Sequence, residues 1–186
     1  MKHWSTQLDA MGACSDAVAW ARTQPSLAAA WRTCKRGDWM LWLAGRRIGT
    51  SGSRAHRRVV LAAAKCARLA LPIWTAEHPD DDRPRLAIVA AERWARIPTD
   101  ENKTAASDVA YVAGTCSAAA FAAAAFAAAA SAAAASATTF AASAAAAASD
   151  ASAATHKRSL ARSAAIVRRI IPVAPRAKRA AQRKKR

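Results

Sequence analysis

Apolar residues recur along the first hundred positions in short helical stripes, each closed by a proline, a glycine or a polar cap. Met11, Cys14, Val18 and Ala21 fall at i, i+3, i+7 and i+10, one face of a helix. Pro25 ends that element, and Ser26 is placed to cap the next, which carries Leu27, Ala30 and Trp31. Gly37 interrupts the chain, and Asp38 stands at an N-cap position for a helix beginning at Trp39. Leu41, Trp42 and Leu43 make that helix apolar on most sides, so it is expected to be buried. Gly45 to Ser53 reads as a loop. Ser53 caps a further helix, predicted to run to Leu71 and stop at Pro72. Its apolar set is Val59, Val60, Ala63, Cys66, Ala67 and Leu71; Arg54, Arg57, Arg58, Lys65 and Arg68 fill much of the remainder. After an acidic loop, Glu77 to Asp82, the pair Asp82 and Pro84 opens a helix with Leu86, Val89 or Ala90, Trp94 and Ile97 on its buried face, and Pro98 closes it.

The pattern then changes. From Ala105 to Ala154 alanine dominates, and alanine has the highest helix propensity of any residue. A single helix of that length would extend about 75 Å at 1.5 Å per residue, long for a compact domain. A break at Ser136–Thr139 is therefore expected, because small hydroxyl residues favour caps over helix interiors. A last helix carries Leu160, Val167, Ile170 and Ile171 and stops at Pro172. The fold class is all-α: several short helices packed against a pair of long alanine-rich helices. Residues 1–103 form the tryptophan-containing helical region and 104–172 the alanine-rich helices of the same domain. Residues 173–186, with too little apolar content to fold, are a disordered basic tail. Val109 to Ser149 carries no charge, yet it lacks Leu and Ile, so no membrane insertion is expected.

Charge sharpens this division. The net of +17 splits into +7 over residues 1–103, −2 over 104–156 and +12 over 157–186. In the tail, Arg176, Lys178, Arg179, Arg183, Lys184, Lys185 and Arg186 are candidates for salt-dependent, sequence-nonspecific nucleic-acid binding. No aromatic is interleaved for base stacking. Cys14, Cys34, Cys66 and Cys116 form no paired motif, and Met1 to Trp20 contains no continuous apolar run. Reduced thiols in a cytoplasmic protein are expected, most of them buried as small hydrophobes.

Three of the seven tryptophans fall within thirteen residues, Trp31 to Leu43. Burying one such ring removes about 150–250 Å² from water, so the segment is a core, a contact surface or both. Trp39 and Trp42, three apart on one helix face, read first as packing and Asp38 as a cap. Trp31, Arg36 and the charged turn around them read as surface. Together Trp31, Arg36, Asp38, Trp39 and Trp42 are the candidate partner-binding residues, since interfaces are enriched in Trp and Arg. Catalysis finds little support: His3, His56, His78 and His156 are far apart in the chain. Cys34 beside Lys35 and Arg36 invites a lowered pKa, but no base can be named for it. Asp80, Asp81 and Asp82 lack the spacing of a calcium loop. Neither an enzyme, a metal, a cofactor nor a small-molecule ligand is expected.

Three local signatures stand in order: A-W-R-T-C-K-R-G-D-W-M-L-W-L-A (Ala30–Ala44), A-A-A-K-C-A-R-L-A-L-P (Ala62–Pro72) and D-R-P-R-L-A-I-V-A-A-E-R-W-A-R (Asp82–Arg96). An alanine-rich segment and the ending A-I-V-R-R-I-I-P (Ala165–Pro172) follow. In this order the chain resembles the Imm-five-like immunity protein family of bacteria and phages, over roughly residues 10–172. The resemblance implies a small cytosolic all-α protein that neutralises a cognate toxin by direct contact, without catalysis. Two other readings remain open beside it. One is a nucleic-acid-associated protein using the basic tail, and the other is a structural phage or bacterial component.

Overall fold

A computed structural model describes residues 3–47, 52–77, 79–113 and 153–175. Among these residues all regular structure is helical. The elements are α1 (Thr6–Ala10), α2 (Ser15–Arg22), α3 (Leu27–Thr33), α4 (Gly37–Arg47), α5 (Arg54–Glu77), α6 (Arg83–Arg96), α7 (Asp100–Ala113) and α8 (Ala153–Ile170). The expected break at Ser136–Thr139, most of the alanine-rich pair and the basic residues from Arg176 onward lie outside the described residues.

The capping expectations hold where a hydroxyl precedes the helix. Ser26 Oγ accepts from Ala29 N at 3.1 Å, and Ser53 Oγ accepts from His56 N at 3.2 Å. Asp38 is not a cap. Helix α4 starts one residue earlier, at Gly37, and Met40 N donates to Arg36 O, so Asp38 lies inside the first turn. Pro72 does not stop its helix either, since α5 continues to Glu77 with the proline inside. A proline removes one backbone donor and crowds the carbonyl four residues earlier. Leu71 O, the carbonyl just before the proline, accepts from Thr75 Oγ1 at 2.9 Å, and Pro72 faces outward, where the distortion is tolerated.

Helix α5 divides the core in two. Ala62, Ala63 and Cys66 face one cluster with Trp31, Met40, Leu41, Leu43, Ala164 and Val167. Val60, Ala64 and Ala67 face a second, with Ala87, Ile88, Ala91, Trp94 and Ala106. Both faces of α5 are thus lined mainly by small side chains, which lets helices approach closely from two sides. Helix α6 packs on α5 and α7 on α6, while α8 lies against both α4 and α5.

The approach of α8 to α4 is close enough to demand glycine at the contact. A Cβ on Gly37 would overlap Ser163 Cβ and fall 2.6 Å from Ala164 N. Polar ties reinforce the contact. Arg168 Nη1 donates to Cys34 O at 2.5 Å, Trp31 Nε1 to Ile171 O at 2.9 Å and Arg47 Nη1 to Pro175 O at 2.7 Å. The chain therefore stays attached to the body beyond Pro172, with Ala174 packed against the first cluster.

Candidate functional site

Helices α1 to α4 surround an apolar pocket of about 430 Å³, counting its open mouth. Five tryptophans line it: Trp4 before α1, Trp20 on α2, Trp31 on α3, and Trp39 and Trp42 on α4. Leu8, Met40, Leu43 and Cys34 contribute to its lining. Each ring is held differently. Trp4 Nε1 donates to Gln24 O at 3.0 Å, tying the N-terminal turn to the end of α2. Trp31 is only 3 % exposed, with its N–H committed to Ile171 O. Trp20 and Trp39 meet at 5.8 Å between ring centroids, tilted by 48°, within the range of favourable aromatic pairs. Trp20, Trp39 and Trp42 are half-buried.

Positive charge sits at the rim. The Arg36 guanidinium lies 4.3 Å from the Trp39 ring centroid, and that of Arg46 lies 5.8 Å from that of Trp42. Arg36 also forks onto Asp38, with Nε to Oδ1 at 2.9 Å and Nη2 to Oδ2 at 2.5 Å. Asp38 is 5 % exposed, so a buried carboxylate fixes the guanidinium over Trp39.

The structure thus brings Trp31, Arg36, Asp38, Trp39 and Trp42 together, but Trp31, expected at the surface, is interior. Asp38 is buried as well, while Trp39 and Trp42 pack against the first cluster and line the pocket half-buried. The reason is long-range: α8 and the residues after it cover Trp31, 140 positions away from its acceptor. Sequence reasoning missed Trp4, Trp20 and Arg46 at the site. Trp4 lies in the turn before α1 and Trp20 on α2, and no spacing links them to α4. Their only signal was being large aromatics outside any long stripe.

Several sequence candidates for chemistry are closed by burial or by partners. Burial pushes the Cys34 thiol up rather than down, overturning the lowered pKa suggested by its basic neighbours. Burial also raises Cys66, to about 12. Of the described cysteines only Cys14 is exposed. His3 Nδ1 lies 2.7 Å from Ser5 Oγ and its Nε2 3.2 Å from Gln24 O, the outline of a base with an orienting acceptor. Ser5, however, is 1 % exposed, so its hydroxyl has no room to meet a substrate, and the arrangement locks a turn. Among the described residues, no three His, Cys, Asp or Glu side chains converge on a metal position. Asp81 pairs with Arg83, and Asp82 with Arg85.

No helix among the described residues is long and apolar enough to cross a membrane. In comparison with known proteins, no family model, no curated protein and no solved structure matches this chain.

Proposed function

We propose that the chain is a non-enzymatic, cytoplasmic protein-binding module that engages its partner through the tryptophan pocket. The observation that carries this reading is the set of half-buried tryptophans, Trp20, Trp39 and Trp42, around an open apolar pocket with an arginine over two of them. Apolar pockets rimmed by Trp and Arg are where interface energy concentrates. The fitting occupant is a protein segment that inserts one apolar side chain and places a carboxylate against Arg46. The resemblance carried by Ala30–Ala44 and Asp82–Arg96 makes a cognate toxin the natural partner, neutralised by covering its active surface.

Co-expression with a toxin-like protein encoded beside the gene tests the proposal. Protection by the wild-type chain is expected. Trp42→Ala should weaken the complex by roughly 30-fold or more, the effect of losing about 2 kcal/mol at an interface hot spot. A soluble wild-type chain that neither protects nor binds would remove the toxin reading. Full binding by a folded Trp42→Ala variant would move the interface elsewhere.

A further inference from the structure

We propose that the outer face of α5, together with the end of α6, is a binding surface for the phosphate backbone of nucleic acid, separate from the tryptophan pocket and from the C-terminal tail. Arg54, Arg58, Lys65 and Arg68 occur at i, i+4, i+11 and i+14. At 3.6 residues per turn these positions fall within an arc of about 80° and extend about 21 Å along the helix. No Asp or Glu occurs between Arg54 and Ala76 to offset them.

Glu92 on α6 organises the middle of this stripe. Its Oε1 accepts from Arg68 Nε at 2.7 Å and lies 3.2 Å from Lys65 Nζ. Its Oε2 accepts from Arg68 Nη2 at 3.1 Å and lies 3.9 Å from Arg96 Nη2. The carboxylate is enclosed, whereas the side chains of Lys65, Arg68 and Arg96 are 36 %, 39 % and 61 % exposed. One inward negative charge thus holds three outward positive ones, and the bidentate fork from Arg68 alone would satisfy both oxygens. Lys65 and Arg96 exceed what Glu92 requires. The side-chain ordering that phosphate binding demands is therefore partly complete before a ligand arrives.

The composition of the stripe selects the ligand. A protein interface of useful affinity needs a desolvated apolar anchor. Here the one apolar position within the row, Leu61, packs against the second core. A row of cations without an apolar anchor on α5 suits phosphates, which contribute affinity through counterion release and carry no sequence information.

Binding of the full-length chain to a labelled, random-sequence 20-nucleotide duplex, followed by fluorescence anisotropy between 50 and 200 mM salt, tests the proposal. Arg54, Arg58 and Arg96 are exposed, so the triple variant Arg54→Gln/Arg58→Gln/Arg96→Gln should keep its helical circular dichroism. It should lower the slope of log K against log salt by about 3, since each lost phosphate contact removes about 0.9. Affinity at 50 mM salt should fall at least tenfold. In Lys184→Gln/Lys185→Gln/Arg186→Gln, which alters only the tail, residual binding should still respond to the α5 substitutions. A helical triple variant with wild-type slope and affinity would overturn the proposal. So would polyglutamate binding as tightly as the duplex, which would assign the surface to an acidic protein.

Discussion

His56 illustrates how a single buried side chain ties acid sensitivity to the entry of a helix. It is 3 % exposed, its ring meets Trp94 edge-on at 5.2 Å, and its Nδ1 accepts from Gly52 N at 2.9 Å. Gly52 has φ of +77°, a backbone conformation that favours glycine, so this bond fastens a specialised turn to the first turn of α5. Burial holds the His56 pKa below its ordinary 6.5, and the charge of Lys103 lowers it further. The neutral ring is the form the fold requires. The unfolded chain therefore binds the proton more readily than the native one, and stability rises with pH in that interval. His56 contributes its full share above about pH 6.5. That share is lost as the pH falls below 6.5 toward the folded-state value. Urea denaturation at pH 8, 6 and 5 should show this decline, and His56→Gln should flatten it. An unchanged decline in the variant would place the acid sensitivity in other groups.

At the scale of elements, the closest helix contact is that of α4 with α8. Gly37→Ala would push a methyl group into the backbone of Ser163 and Ala164, atoms that no rotamer change can move aside. Overpacking of this kind costs about 1–3 kcal/mol, and it should appear as a lower urea midpoint with an unchanged m-value. An unaltered midpoint would mean that α8 shifts freely. Much of the element pattern was legible beforehand, because its signals are local. Ser26, Ser53 and the Pro84 start of α6 act through neighbours within a few residues. Pro72 misled because its local penalty is outweighed by helix continuing on either side. Asp38 misled because Arg36, two positions away, claims its carboxylate, and a glycine that usually breaks helices is here required by α8. The pocket was only half legible. Its α4 wall is a contiguous motif, whereas Trp4 and Trp20 join it through tertiary packing alone.

The whole molecule is built around α5, whose alanines serve both cores. Neither core can open on its shared side without exposing the other, so the central turns of α5, from Val60 to Ala67, should unfold only with the entire domain. Native-state hydrogen exchange checks this. Amides in that stretch should exchange with the free energy of global unfolding, while those of α1 exchange through smaller openings. Faster exchange in α5 than in α6 would contradict a shared wall. Charge is distributed on the same scale. The pocket lies among α1 to α4 and the cationic stripe on α5 and α6, so substitutions at one site should add independently to those at the other.

The bond from Trp31 to Ile171 also sets an order in time. Its partners are 140 positions apart, and Ala164 and Val167, both fully buried, come from the same late segment. During synthesis the wall that covers Trp31 is made 140 positions after the ring itself. A nascent chain must therefore carry an uncovered aromatic surface while the intervening residues are made, and distant closure of this kind is slow. The tryptophans gathered around the pocket are the same ones that leave the unfinished fold most in need of protection.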